Sequence, residues 1–429
     1  MRKILNIEYG FIHAYYWMYY GIVGSFASVF LSDKGYSSGD IGSILGIGCV
    51  LAIILQPFIA DMGDRSKRIS VFGIAQVIGF VMLIGTLGIF IFDRRSLALS
   101  VIFVGLIAWV TALQPLFNYM AFKISTSGYH VNFGLARSGG SLGYSLICMI
   151  LGYLVEAFGV RTIPIAGMAV LLLLLIVIWH LRRNYIKACK ITGKGSLLNV
   201  KADNRFENSD AKESVGEDFG PGEVQIPVDV HTDEITLSKF IGKNKLFFIL
   251  NIAVVFIFFN NGVLNSFLYQ IVGNAGGTSG DMGAIFSIMA FCEIPTLVFF
   301  DKILEKVSCS TLMKIACVAF TLKILTFYIA GSTTLMFVAQ VFQPFAFATF
   351  LPAMIHFTDQ VMEPGESVKG QALFTIMMAL STVVASVLGG YIIDFMGVKA
   401  LLLVSVAMSV VGAVILFCYI GKVHYRKEC

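Results

Sequence analysis

Long apolar segments recur along this 429-residue chain, and they restrict its fold more than any other feature of the sequence. A helix needs about 20 apolar residues to cross the hydrocarbon core of a bilayer. Twelve segments reach this length, near residues 10–32, 41–60, 70–92, 97–121, 133–156, 162–181, 246–270, 280–300, 311–330, 334–355, 370–392 and 399–421. A membrane barrel would show short alternating strands instead. The sequence therefore predicts an all-α membrane protein with twelve transmembrane helices.

The composition agrees with a chain whose surroundings are lipid. Hydrophobic residues make up 57% of the sequence and charged residues only 13%, whereas a soluble domain carries about 25% charged residues. The net charge of +5 comes from basic residues scattered over loops, so nucleic acid is not an expected partner. The eight cysteines form no CxxC pair and are interpreted as packing residues. We expect no metal and no cofactor.

Basic residues predict how the helices are oriented in the bilayer. If the N-terminus is cytoplasmic, most lysines and arginines fall on the cytoplasmic side, including the whole basic set between Arg182 and Lys245. Few fall on the outer side: Lys34, Arg94, Arg95, Arg161 and Lys399. Lysine and arginine accumulate in cytoplasmic loops of membrane proteins. We therefore expect a multi-pass protein of the cell (inner) membrane with both termini in the cytoplasm.

A polar stretch divides the apolar segments into two sets of six. Residues from about 184 to 240 are rich in Asn, Asp, Glu, Gly and Lys and poor in aromatic residues. This composition is typical of a mobile tether, with a regulatory segment as the alternative. We predict an N-terminal six-helix bundle over 1–183, a cytoplasmic linker over 184–243, and a C-terminal six-helix bundle over 244–429.

The two sets of six repeat one another. Residues 152–161 read GYLVEAFGVR and residues 390–399 read GYIIDFMGVK, at an offset of 390 − 152 = 238. Pro57 and Pro295 keep the same offset, since 295 − 57 = 238. Parallel repeats of this kind build carriers in which the solute site lies near the bilayer midplane, between the halves. The repeat therefore predicts two pseudo-symmetric bundles that work by alternating access.

The loop after the second segment carries an acid among basic residues, over positions 60–68. It resembles the major facilitator signature between helices two and three, although two of the signature's glycines are replaced. The resemblance implies a conformational latch formed by Asp64, Arg65 and Arg68, in which Asp64 faces a helix N-terminus or a basic residue in only one state. The alternative is a solvated loop that merely satisfies the positive-inside rule.

Three charged residues lie well inside predicted helices: Arg137 in the fifth, Glu293 in the eighth and Lys323 in the ninth. An unpaired charge within the bilayer costs about 2.5 kcal/mol or more, and a guanidinium cannot neutralise itself. We expect Glu293 to face Lys323 or Arg137 across a polar cavity. Two alternatives stay open: a purely structural Glu293–Lys323 bridge, and an Arg137 that binds only helix-terminal carbonyls.

The segment 133–137, which reads FGLAR, and Tyr144 seven residues after Arg137 resemble the lactose permease-like oligosaccharide:proton symporters of the major facilitator superfamily. The resemblance implies that Arg137 hydrogen-bonds sugar hydroxyls and that Tyr144 stacks on the sugar ring. Asn118 stands where that family has a sugar-binding glutamate. Glu293 corresponds to its sugar-binding helix-eight glutamate, and Lys323 to its proton-coupling helix-nine arginine.

The chain departs from that family in its proton machinery. The family's helix-ten His and Glu fall near Gln343 and Ala346, and its helix-seven acids fall near Ile257 and Asn260. Ion coupling would then fall to Glu293 together with Lys323. Coupling to sodium, or no coupling at all, stays open.

Amide and aromatic residues are further candidates for the cavity lining. Asn261 and Asn265 lie four residues apart on one face of the seventh helix, and amides offer both donors and acceptors to a hydroxyl-rich ligand. Hydrogen bonding between helices is their equal alternative. Five helix-one residues line the cavity or only pack: His13, Tyr15, Tyr16, Tyr19 and Tyr20. Three glycines beside Arg137 are expected to permit close helix approach: Gly139, Gly140 and Gly143.

Together these features predict a monomeric secondary active transporter for a small polar solute, a sugar or oligosaccharide in symport with protons. A nucleoside or aromatic-acid permease of the same superfamily is one alternative, and a non-transporting membrane sensor is another. An enzyme is not expected, because the helices carry no paired carboxylates, HExxH motif or nucleophile–base arrangement.

Overall fold

The computed structural model describes residues 1–65, 70–92, 94–129, 131–192, 237–363 and 366–423, without the side chains at positions 60, 61, 63–65, 126 and 237–239. Within these residues the chain is almost entirely helical. We number the twelve long helical segments α1 to α12.

The N-terminal half contains α1 to α6. The first, α1, is built from an α-helix over Arg2–Tyr20, a π-helical turn over Gly21–Ser25 and a short α-helix over Ala27–Asp33. The other five are α2 (Ser38–Arg65), α3 (Val71–Ile91), α4 (Leu97–Thr126), α5 (Phe133–Phe158) and α6 (Thr162–Ile191).

The C-terminal half repeats this arrangement with α7 to α12. Its helices are α7 (Lys245–Asn274), α8 (Ser279–Val298), α9 (Cys309–Ile329), α10 (Thr333–Val338, a 3₁₀ turn over Ala339–Phe342, and Phe347–Val361), α11 (Ser367–Met396) and α12 (Val398–Tyr419). A short helix over Leu237–Lys243 precedes α7, and another over Phe300–Leu304 follows α8.

Eleven helices in the described residues are long and apolar enough to cross a membrane. The first segment, α1, brings the number to twelve: it spans residues 2–33 but is interrupted by its π-helical turn and carries charges near its start. The predicted all-α fold of twelve transmembrane helices in two pseudo-symmetric bundles is therefore confirmed.

Side-chain caps explain where several helices begin. Ser96, Asn132 and Ser308 each accept a backbone N–H from the first turn of α4, α5 and α9. Thr278 forms a complete capping box with Asp281 at the start of α8. Such caps satisfy N–H groups that have no partner within the helix. The short loops that the apolar pattern predicts thus coincide with chemically defined helix ends.

The predicted linker over 184–243 has helix at both of its ends. The α6 helix continues to Ile191, because Leu181, Tyr185, Ala188 and Cys189 keep a buried face at helical spacing. Residues 193–236 lie outside the described part of the chain. The division into 1–183, 184–243 and 244–429 therefore stays a prediction.

The repeat is visible in the backbone as well as in the sequence. Gly159 ends α5 with φ +81° and Gly397 ends α11 with φ +83°, again at an offset of 397 − 159 = 238. This left-handed region is readily available only to glycine. Pro57 and Pro295 lie inside the helices α2 and α8. Residues at equivalent positions of the repeat therefore have the same structural role in the two halves.

The two halves meet along two helix pairs, α2 with α11 and α5 with α8. Glycines allow the backbones to approach closely: a Cβ on Gly42 would collide with the carbonyl of Ser386, and one on Gly283 with that of Cys148. These contacts lie where α2 and α8 begin and α5 and α11 end. We call this end, formed by residues 38–46, 145–156, 279–287 and 383–394, the clasped end.

Candidate functional site

Arg137 lies near the start of α5 and is held by groups of its own half. Its guanidinium carbon is 4.4 Å from the centroid of the Trp17 ring on α1. Its Nη1 donates a hydrogen bond of 3.3 Å to Oγ of Ser141, one turn further along α5. Both Arg137 and Trp17 are half-buried. An aromatic face attracts a cation most strongly where water is partly excluded, so the indole stabilises this charge within the membrane.

Glycine makes this arrangement possible. A Cβ on Gly140 would lie 2.5 Å from Cδ1 of Trp17, and one on Gly143 would lie 2.7 Å from the carbonyl oxygen of Ala14. These distances are below ordinary van der Waals contact, so α1 approaches α5 closely only because both positions lack a side chain. The glycines around Arg137 thus bring Trp17 over the guanidinium.

Glu293 and Lys323, in the C-terminal half, are linked through one amide. Nε2 of Gln343 on α10 donates a hydrogen bond of 2.6 Å to Oε1 of Glu293 on α8. Nζ of Lys323 on α9 donates to Oε1 of the same Gln343. Lys323 and Gln343 are 2% and 1% exposed, so the contact between them is shielded from water, whereas Glu293 is half-buried. An amide suits this position because it offers a donor to the acid and an acceptor to the ammonium.

The backbone of α10 explains how Gln343 reaches both charges. Gln343 falls in the interruption between the 3₁₀ turn that ends at Phe342 and the helix that resumes at Phe347. Pro344 follows it and has no N–H for a helical hydrogen bond. Broken helices at membrane depth are typical of transporter binding sites, where irregular backbone lines a cavity or is buried in protein.

The three charges influence one another across the two halves. The carboxylate of Glu293 interacts electrostatically with both Arg137 and Lys323. Glu293 therefore lies within electrostatic range of one cationic side chain from each half. Such a site favours a solute that offers oxygen acceptors, either hydroxyl groups or a carboxylate. The structure thus brings together all three intramembrane charges that the sequence singled out.

Tyr144 lies two turns along α5 from Arg137, and its surroundings are tightly packed. It is 9% exposed, and its hydroxyl is 2.7 Å from Oγ of Ser25 in the π-helical turn of α1. Its ring packs edge-on against Phe286 at 6.3 Å between centroids. Most of the ring is thereby committed to contacts within the protein, and its stacking on a solute stays a prediction.

The amide candidates lie on two helices, one in each half. Asn118 lies on α4, while Asn261 and Asn265 lie on α7, and all three are half-buried. Their neighbour Asn260 is 2% exposed and donates to Oγ of Ser409 on α12 at 3.3 Å. Asn260 therefore joins two helices of the C-terminal half, while solute contact by the other three stays a prediction.

The side chains of the predicted latch lie outside the part of the chain that the structure describes. Asp64 and Arg65 belong to the last turn of α2, but their side chains are not among the described ones, and Arg68 falls in the gap between α2 and α3. The role of these three residues stays a prediction.

Two residues that sequence reasoning did not select hold the site together, Trp17 and Gln343. Trp17 stands among several helix-one aromatics, and nothing in its spacing singles it out. Gln343 carried a usable signal: it is an amide followed directly by a proline in an apolar segment. A buried amide in a membrane helix needs polar partners, and Glu293 and Lys323 were the candidates.

A surface groove elsewhere on the molecule has a volume of about 800 Å³. It lies beside the starts of α2 and α4, with mostly apolar walls and with Arg95 and Asp40 at its polar rim. Arg95 and Asp40 form an ion pair of 2.8 Å there. None of the candidate site residues lines this groove.

Comparison with known proteins agrees with this architecture. A mutant of the nucleoside transporter NupG superposes with a TM-score of 0.72 at 14% sequence identity, covering 98% of this chain and 100% of that one. A bacterial homolog of the human lysosomal transporter Spinster, inward-facing and unoccupied, gives 0.65 at 14% identity, covering 100% and 99%. The POT family transporter PepTSo gives 0.67 at 8% identity, covering 98% of each chain.

No curated protein sequence matches the chain, and at these identities the solved structures establish the fold alone. A family model gives more: the MFS_1 like family matches residues 9–404. That match spans nearly the whole chain, from α1 into α12. The protein is thus a membrane transporter of the major facilitator type, and it belongs to the MFS_1 like family.

Proposed function

We propose that this transporter moves a sugar or oligosaccharide together with a proton, by alternating access. The observation that carries the proposal is the contact chain Glu293–Gln343–Lys323, which holds a half-buried acid within electrostatic reach of Arg137 in the other half. An acid and a guanidinium that belong to different bundles are suited to bind one solute between them. A solute that touches both halves links its own binding to their relative movement.

The chemistry of the two groups suits hydroxyl groups. A guanidinium presents donors in a planar fork, which matches neighbouring oxygens. A carboxylate has about four lone-pair positions, so the one hydrogen bond from Gln343 leaves Glu293 able to accept from a sugar hydroxyl. We propose four further residues that contact the solute: Tyr144, Asn118, Asn261 and Asn265.

Glu293 is the group we assign to the proton, with Lys323 as its partner in coupling. A protonated carboxyl loses its attraction for the ammonium and the guanidinium and becomes a donor. Protonation would therefore change both solute binding and the Glu293–Gln343–Lys323 chain. Sodium is less well suited, because the ammonium of Lys323, which binds the same amide, would repel a second cation.

The test is transport by the full-length protein in sealed vesicles. Labelled sugars are offered with and without a proton gradient, and the external pH is recorded during uptake. We expect the transported sugar to alkalinise the medium and to accumulate. Glu293→Gln should keep counterflow exchange and lose accumulation, whereas Glu363→Gln, an exposed acid that binds Lys243, should behave like the unmodified protein. Accumulation that depends on sodium, or that survives in Glu293→Gln, would contradict proton coupling through this acid.

A nucleoside is the second candidate, and Trp17 is the observation that favours it. An indole face at the site would stack on a flat base, while Arg137 and Glu293 bind the ribose hydroxyls. The same counterflow assay with sugars, nucleosides and aromatic acids separates the candidates. Exchange driven by nucleosides alone would replace the sugar proposal, and exchange driven by aromatic acids alone would assign Arg137 to a carboxylate. A protein that binds one of these solutes but exchanges none would be a sensor.

A further inference from the structure

An acid at the end of α11 caps a helix of the opposite half. Oδ1 of Asp394 accepts the backbone N–H of Ser38 at 2.9 Å, and Oδ2 accepts that of Gly39 at 2.7 Å. These are the first two residues of α2. The N–H groups of a first helical turn have no partner within the helix and carry partial positive charge. Asp394 therefore completes α2 from across the boundary between the two bundles.

The internal repeat places a second acid at the equivalent position. Glu156 at the end of α5 corresponds to Asp394, since 394 − 156 = 238. Its Oε2 accepts a hydrogen bond of 3.0 Å from Oγ1 of Thr278, the N-cap residue of α8. Each half therefore extends one carboxylate to the start of a helix in the other half.

A third contact joins the halves between these two. Nε2 of Gln270 on α7 donates to Oγ of Ser32 on α1 at 3.1 Å. The repeat maps Ser32 onto Gln270, since 270 − 32 = 238. A contact between repeat-equivalent residues lies on or near the pseudo-two-fold axis. The clasped end thus carries one central contact flanked by two acid caps.

The candidate solute site lies beyond these contacts, further into the bundle. The hydroxyls of Ser145 and Ser287 meet at 2.8 Å between α5 and α8. Arg137 lies eight residues past Ser145 and Glu293 six residues past Ser287, away from the clasped end, so the site is roughly 10 Å deeper at 1.5 Å per residue. While the clasped end is closed, solute reaches the site only from the opposite end. With the predicted orientation, that end is cytoplasmic.

We propose that Asp394 and Glu156 are gate residues of the transport cycle, which hold the clasped end shut and release it when the site opens to that side. Their contacts suit a reversible gate, because Ser38 and Thr278 lie at the water-accessible starts of their helices. Water replaces a hydrogen bond there at small cost. The glycines behind the acids let the helix backbones pack closely at the clasped end. The acids shift the equilibrium between the closed and open states of that end.

The two caps are unequal. Asp394 accepts two backbone N–H groups, whereas the bond from Thr278 to Glu156 comes from a hydroxyl that also serves the capping box of α8. A carboxylate at a helix N-terminus contributes more when it bonds the backbone donors directly. Removing the charge of Asp394 should therefore open the gate further than removing that of Glu156.

Hydrogen exchange of the full-length protein in nanodiscs, without solute, tests the gate. The peptides to follow cover the starts of α2 and α8, over 38–46 and 279–287. In Asp394→Asn we expect exchange to rise about two- to fivefold in both peptides, a factor set by the strength of a charge at a helix N-terminus. Glu156→Gln should raise exchange in the same two peptides, because coupling between two sites is reciprocal. The factor should be smaller, because Glu156 makes the weaker contact.

Asp40→Asn is the matched control. Asp40 accepts from the N-cap residue Ser37 and pairs with Arg95, all within the N-terminal half. Its loss should raise exchange at the start of α2 alone. If Asp394→Asn likewise affects only the α2 peptide, Asp394 is a local cap and the gate assignment is wrong. Faster exchange throughout the molecule would indicate general destabilisation and would equally overturn it.

Discussion

The two halves of the candidate site hold their charges in different ways. In the N-terminal half, Arg137 contacts a ring face and a hydroxyl, both of which tolerate small movements of the guanidinium. In the C-terminal half, Gln343 connects Glu293 and Lys323 with directional hydrogen bonds, and both Gln343 and Lys323 are buried. An adaptable cation suits the binding of a solute, whereas a fixed acid–amide–base chain suits a change of protonation state. We therefore propose that recognition falls mainly to the N-terminal half and coupling mainly to the C-terminal half.

Removing the charge of Arg137 should have the largest effect on transport. Arg137→Ala leaves the solute's oxygens without their cationic donor and leaves Glu293 with one fewer positive neighbour. We expect uptake to fall at least about 100-fold, with unchanged membrane insertion and little change in thermal unfolding. Arg137→Lys, which keeps the charge but not the planar fork, should retain part of the uptake. Full uptake by Arg137→Ala would show that Arg137 does not contribute to solute recognition by the N-terminal half.

Replacing Gln343 should separate coupling from recognition. Gln343→Leu leaves an acid and an ammonium buried without their shared partner, which costs about 2–3 kcal/mol of stability. We expect a lower unfolding temperature and a loss of proton-coupled accumulation, with counterflow exchange reduced far less.

Gln340→Leu is the matched control for that experiment. Gln340 is equally buried in α10, but its Nε2 donates only to the carbonyl of Met336 in the same helix. Its replacement should leave accumulation intact. Equal effects of the two substitutions would reduce Gln343 to a packing residue.

Moving Trp17 should have the smallest effect. Gly140→Val places side-chain atoms where the indole lies and pushes the ring away from Arg137. A cation–π contact of this kind contributes roughly 0.5–2 kcal/mol, so we expect the apparent affinity for solute to weaken by about twofold to thirtyfold. Equilibrium binding to purified protein measures this. Gly139→Ala is the control, because a Cβ there meets only the carbonyl oxygen of Gly10, at 3.7 Å. An equal loss of affinity in both variants would show that the cause is a change in α5 itself and not the displacement of Trp17.

Much of the architecture followed from the sequence because the bilayer imposes it. A backbone surrounded by lipid must satisfy its own hydrogen bonds, so an apolar segment of sufficient length has few choices besides a helix. The repeat of residues 152–161 at 390–399 likewise predicted the pairing of the halves, and the glycines that end α5 and α11 share one backbone conformation.

The interruptions of the helices could not be predicted from the sequence. The π-helical turn over Gly21–Ser25 and the break of α10 before Phe347 lie inside apolar segments that read as continuous. Periodicity detects a buried face, but it does not register one extra residue in a turn or the loss of a few hydrogen bonds. Both irregularities lie beside candidate site residues, since Ser25 holds Tyr144 and Gln343 follows the 3₁₀ turn. Irregular backbone at membrane depth is tolerated where it lines a cavity or is buried in protein.

The sequence by itself determined that the helices are surrounded by lipid, how many helices there are, the repeat, and the three intramembrane charges. Each of these depends on residue type and spacing alone. Only the tertiary structure decided the partners of those charges: Trp17 over Arg137, and Gln343 between Glu293 and Lys323. It also decided that Asp394 and Glu156, at the ends of two helices, reach across to the starts of two others. Such partners lie far apart along the chain, and they meet only when close packing of two bundles fixes which helix faces which.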